Sequence, residues 1–151
     1  MKKIIIISIL IFSLCIASLA FASGKVLCTA TDNLNGYNTI TCTCTADASD
    51  NTFPSTKITS MWSLISSSNP GHYLYSVEIQ PSTPAPTNGF SVTLVDAMNY
   101  DILAGQGASQ SSANTSFFKG LNAFLDSAPT INITGNSVSS AVVIIKMVLV
   151  R

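Results

Sequence analysis

Residues 37–46 read YNTITCTCTA, and this stretch decides the fold. Thr39, Thr41, Thr43 and Thr45 fall on one side of an alternating chain. Ile40, Cys42, Cys44 and Ala46 fall on the other. A period of two is the mark of a strand with one buried face. Threonine is β-branched and suits the solvated face of such a strand. The closing stretch, residues 141–150 (AVVIIKMVLV), extends the reading. Ala141, Val143, Ile145, Met147 and Leu149 form one face, and Val142, Ile144, Val148 and Val150 flank Lys146 on the other. A strand apolar on both faces is central, or its outer face is covered. A central strand in a tight sandwich is the simpler reading. The sharper one has the outer face meeting another subunit.

Further strands lie between. In Tyr73 to Gln80 the alternation places Tyr73, Tyr75, Val77 and Ile79 on one side. In Phe90 to Val95 it places Phe90, Val92 and Leu94 together, and Ile131 with Ile133 marks a short strand. Turn signals separate them: Asn35-Gly36, Asn69-Pro70-Gly71, Asn88-Gly89 and Gly135-Asn136. Residues 81–88 (PSTPAPTN) read as an extended connection. Residues 105–116 (GQGASQSSANTS) read as a mobile loop. No helix has strong support. Ile58 to Ser66 fits a strand or a short helix, and Gly120 weakens a helical reading of Phe117 to Leu125. Many short strands divided by turns predict an all-β protein, an antiparallel β-sandwich of immunoglobulin-like or jelly-roll-like form.

The N-terminus is of another kind. Residues 1–22 read MKKIIIISILIFSLCIASLAFA. Lys2 and Lys3 precede an apolar run, and Ala20-Phe21-Ala22 is an A-x-A cleavage signal. This is the form of a bacterial secretory signal peptide, with cleavage expected after Ala22. The β-sandwich domain is then residues 23–151, and the location is exported: periplasmic, cell-surface or extracellular. Membrane contact would come only through the leader, were it kept. Lys25, Lys57, Lys119, Lys146 and Arg151 then face the seven acidic residues, leaving a small negative charge.

Of the 151 residues only 9% are charged, against roughly 25% in ordinary domains. Nucleic-acid partners are disfavoured, because phosphate neutralisation needs clustered Lys and Arg. Three cysteines follow the leader: Cys28, Cys42 and Cys44. Export to an oxidising compartment predicts pairing. Cys42 and Cys44 share a strand face about 6.5–7 Å apart, the outer limit for a bridge. A bridge from Cys28 to Cys42 or to Cys44 fits better. One thiol is then left buried, free or paired with another chain.

No catalytic constellation emerges. His72 is the one histidine and has no G-x-S-x-G elbow to serve. Asp96 and Asp101 bracket a turn and are explained by turn capping. C-x-C is not a usual zinc spacing. The expectation is no enzyme, no metal and no cofactor.

Four stretches resemble a known family. Residues 43–48 (TCTADA) with Thr52-Phe53-Pro54 form the first, and residues 71–77 (GHYLYSV) with Pro81 and residues 84–88 (PAPTN) the second. Residues 92–96 (VTLVD) with residues 101–108 (DILAGQGA) form the third. Asn136-Ser137-Val138 with the closing strand and Arg151 form the last. Together, over residues 41–151, they are similar to small all-β proteins of tailed-phage and prophage structural gene clusters, here with an added signal peptide. The resemblance implies a non-enzymatic structural component of a virion-like assembly. It carries over no active-site residues. With a leader, an exported assembly protein is expected rather than a virion component, as a homo-oligomer or within a larger particle or surface assembly. The alternative is an extracellular or cell-surface binding module, adhesin-like or carbohydrate-binding, using Tyr73, Tyr75, Tyr100 or the 105–116 loop.

Overall fold

A computed structural model describes residues 23–33, 36–66 and 72–150. The leader (1–22), Asn35 of the first predicted turn, the 69–71 turn signal and Arg151 lie outside the described residues. The strands are β1 (Lys25–Asn33), β2 (Tyr37–Thr45), β3 (Thr56–Lys57), β4 (His72–Pro81), β5 (Ser91–Val95), β6 (Ser116–Leu125), β7 (Thr130–Thr134) and β8 (Val142–Val150). A helix, α1 (Thr59–Ser66), sits between β3 and β4.

All pairings are antiparallel. One sheet has five strands in the order β1-β2-β8-β4-β6, and the other has three in the order β3-β7-β5. Buried side chains from both sheets form a single core. This is the expected all-β sandwich. The closing strand β8 is the middle strand of the larger sheet, as its two apolar faces predict. Its inward residues Val143, Ile145, Met147 and Leu149 are buried, and so are Ile40, Cys42 and Cys44 on β2. Burying a side chain the size of Ile145 contributes about 2 kcal/mol.

Local structure departs from the sequence reading in four places and settles it in a fifth, Ile58 to Ser66. β1 is a full strand because Asn33 pairs with Tyr37, and the two nine-residue runs zip together from there. Gly36 has φ 81°, a left-handed conformation that glycine adopts without steric cost. Ile58 to Ser66 resolves as helix over Thr59–Ser66, and Trp62 at its centre is buried in the core.

Phe117 to Leu125 is strand. Its pairing with β4 jumps from Leu74↔Ala123 to Ser76↔Lys119. Three residues of β6, Gly120 to Asn122, therefore bulge opposite Tyr75. Gly120 and Asn122 both take positive φ there, at 68° and 47°. The same Tyr75 is skipped in the pairing with β8. A bulge residue shifts the phase of everything after it. His72, Leu74, Val77 and Ile79 are thus the core-facing set of β4, Ser76 is buried as well, and Tyr73 and Tyr75 are exposed. The predicted grouping of both tyrosines with Val77 and Ile79 is corrected on this ground.

The Gly-rich stretch after β5 is also tied down. Ile102 N–H donates to Leu94 O at 2.7 Å, Val92 N–H to Gly107 O at 2.8 Å, and Gln110 N–H to Phe90 O at 2.6 Å. Residues 102–110 run back along β5 as consecutive turns. Gly107 is required at the closest approach, because a Cβ there would lie 2.0 Å from Val92 O.

Candidate interaction surface

The larger sheet turns one face to the core and, among the described residues, no other element is stacked on the opposite face. The strand registers line up the side chains of that outer face in rows. One row runs Leu27, Thr43, Ile144, Gln80. The central row runs Thr29, Thr41, Lys146, Glu78, Phe117. The next runs Thr31, Thr39, Val148, Ser76, Lys119. At one end lie Tyr37, Val150, Tyr73 and Phe124. The face is therefore threonine-rich over β1 and β2 and apolar over β8. It becomes aromatic at one end and along β6.

Leu27, Tyr37, Tyr73, Phe117 and Phe124 are all large apolar side chains left in solvent, with Leu27 61% and Phe124 59% exposed. Scattered apolar exposure is ordinary, but Tyr37, Val150, Tyr73 and Phe124 form one contiguous row, and such a row marks an interaction surface; Leu27 and Phe117 stand apart on the two edge strands. Tyr73 and Phe124 are cross-strand neighbours with ring centroids 5.3 Å apart. The Lys119 ammonium sits 4.9 Å from the centre of the Phe117 ring, a cation–π contact that engages its charge. Glu78 and Lys146 are directly opposite across β4 and β8. Neither closes an ion pair among the described residues.

The cysteines face the core beneath this surface. Cys28 and Cys42 are register partners and form a disulfide with Cα atoms 4.0 Å apart. Of the two bridges left open by the sequence, the register selects this one. Cys44, two residues on, is a buried free thiol, and burial pushes its pKa up to about 12. It is poorly suited to exchange, since the thiolate is the reactive form.

His72 is fully buried, so it belongs to the core. The Asn38 amide donates to its Nε2 at 3.2 Å, and Trp62 meets its ring edge-on at 5.5 Å. Asp96 accepts the N–H groups of Met98 and Tyr100 at 2.8 and 2.9 Å. Asp101 accepts those of Leu94, Leu103 and Gly105 at 3.3, 3.1 and 2.9 Å. Both are turn-capping residues, as their spacing suggested.

A crevice of about 290 Å³ at the end of the smaller sheet is lined by Asn51, Phe53, Ile133 and Asn136 among others. Asn136 is spent structurally there. Its amide donates to Asn51 O and Val138 O, and its carbonyl accepts from Thr87 and Val138. Among the described residues no three His, Cys, Asp or Glu side chains group to hold a metal. None of their helices is long and apolar enough to cross a membrane.

No family model, curated protein or solved structure matches the chain. Of the aromatic residues singled out in the sequence, Tyr73 and Tyr75 come together on β4. Tyr100, 70% exposed, sits on the turn after β5 in the other sheet. Leu27, Tyr37, Phe117 and Phe124 belong to the surface and were not singled out. The signal for them lay in the outward residues of β8, whose apolar character implied apolar neighbours.

Proposed function

We propose that this chain is a non-enzymatic, exported structural protein that works by assembly. In kind it would be similar to the small all-β components of tailed-phage and prophage structural gene clusters. The observation that supports this is the outer face of the five-stranded sheet, apolar along β8 and aromatic in the row Tyr37, Val150, Tyr73, Phe124. A surface of this kind stabilises contact with another protein through burial. The Cys28–Cys42 disulfide fits a domain that matures outside the reducing cytoplasm.

The test is the unreduced intact mass and native size of the protein from its source cells. A chain beginning at Ser23, lacking two protons and moving well above the size of a single 129-residue chain, is expected. A chain beginning at Met1 with all thiols free, moving as a monomer, would overturn the reading.

One observation favours a second reading as a binding module. Tyr73 and Phe124 place two aromatic rings together on a solvent-facing surface, with Tyr75 also exposed on β4, and such rings can stack on the faces of sugars. A glycan array that gives signal, lost in Tyr73→Ala, would support it; no signal removes it.

A further inference from the structure

We infer that the outer face of the larger sheet is a two-fold self-association surface. In it, Lys146 of one copy meets Glu78 of the partner subunit. This rests on the assembly reading above and names its partner: a second copy of this chain.

The argument begins with Lys146. It is the fifth of nine residues on β8, the middle strand of five. It therefore stands near the centre of the face, between Ile144 and Val148 along its own strand. Covering this face would strip water from the ammonium, and an unpaired buried charge is costly. A carboxylate must therefore lie within reach of it. Glu78 lies one strand over, in the same row.

A surface carrying one positive and one negative group side by side can satisfy itself. Consider a two-fold axis parallel to the strands, running between β8 and β4. It lays β8 over β4 of the partner, and β2 over β6 of the partner. Each Lys146 then faces a Glu78 across the interface, twice by symmetry. Rows stay in step, because such an axis reverses strand order and keeps position along the strands. The Tyr37–Tyr73–Phe124 end therefore lands on the same end of the other copy, ring against ring. Aligned sheets pack face to face in this way at a spacing of about 10 Å.

The area is sufficient. Four strands of about nine residues give a footprint of roughly 600 Å² per copy at ordinary strand spacing and rise. The pair then covers about 1,200 Å², above the roughly 1,000 Å² a specific interface needs. β1 lies outside this footprint.

The experiment is sedimentation equilibrium of the native protein, over a wide concentration range, beside three variants. These are Lys146→Glu, Glu78→Lys and the double exchange. Both side chains lie at the surface, so near-ultraviolet dichroism should report an intact fold in each. Each single reversal places like charges together at two symmetric points and is expected to weaken dimerisation about tenfold or more. The double exchange restores opposite pairs and should return the affinity to within about threefold of the starting protein. Self-association that ignores both single reversals overturns this interface and leaves the assembly reading standing. So does a double exchange as weak as the singles. A protein that stays monomeric at millimolar concentration overturns both.

Discussion

Breaking the Cys28–Cys42 disulfide should destabilise the domain by an amount set by the loop it closes. The bridge joins residues 14 apart in sequence. Loop-closure entropy for a ring of this size contributes about 3 kcal/mol at 25 °C. For a domain of this length that corresponds to roughly 11 °C in Tm. With an m-value near 1.5 kcal/mol/M it corresponds to roughly 2 M in the urea midpoint. The assay is urea unfolding followed by tryptophan fluorescence, since Trp62 is buried in the core. It is run on the oxidised protein, the reduced protein and Cys28→Ala/Cys42→Ala. The reduced protein keeps both sulfurs, so its loss reports the cross-link alone. The double variant also loses sulfur packed at the fully buried Cys42 and should fall further. The m-value should rise in both, because the unbridged unfolded chain exposes more surface. Oxidised and reduced midpoints agreeing to within about 0.5 kcal/mol would refute the loop-closure reasoning. Cys44→Ala should retain the two-proton mass deficit, because Cys44 stands outside the bridge.

Other perturbations test other parts of the fold. Gly107→Ala should cost about 3 kcal/mol in chemical denaturation, because its Cβ would meet backbone at Val92 O with no flexible side chain to yield. Ile145→Ala opens a cavity on the central strand and should cost about 3–4 kcal/mol, seen as a lowered midpoint with unchanged m. Asp101→Ala leaves three backbone N–H groups without their carboxylate and should cost about 2 kcal/mol in the same assay. The buried Cys44 thiol makes stability depend on alkaline pH. The fold holds it protonated, with its pKa pushed from 9.0 up to about 12. The unfolded chain releases that proton above pH 9. The contribution is fully present below pH 9 and falls by about 1.4 kcal/mol per pH unit between 9 and 12. Comparing Cys44→Ala with the parent protein across that window should show the slope removed; equal slopes would count against a buried thiol.

What was legible in the sequence depended on unbroken alternation. β8 is legible throughout and β2 from Ile40 on, because the inward positions there are apolar and neither strand is interrupted; the inward Asn38 departs from the pattern at the start of β2. β4 breaks this rule, and the alternation loses its phase within the strand. Tyr75 is skipped in both of its pairings, and nothing in GHYLYSV distinguishes a bulged tyrosine from a paired one. The matching irregularity on β6 had a signal, Gly120, but glycine weakens helix and strand alike. β1 hid because its inward set is Val26, Cys28 and Ala30, small side chains only partly buried at a sheet edge. The disulfide needed the register. The choice between Cys42 and Cys44 turns on which residue stands opposite Cys28, and that follows from Asn33 pairing with Tyr37.

The interaction surface was half legible for the same physical reason. Valine and isoleucine on the outer side of β8 could be seen to need cover, whereas the aromatic rim came from strands whose phase or existence was hidden. Once the registers are known, the argument reverses direction. The outer apolar residues of β8 lie within the chain's largest sheet, where interior packing cannot reach them. Cross-strand neighbours then decide what the face can do. Threonines on β2 cover part of the valine surface from one side, while Glu78 and Gln80 on β4 border it on the other. The one cation in its middle stands beside the one carboxylate able to satisfy it from a second copy. A sheet face whose only two central charges are opposite and adjacent is better suited to pairing with itself than to resting bare in water.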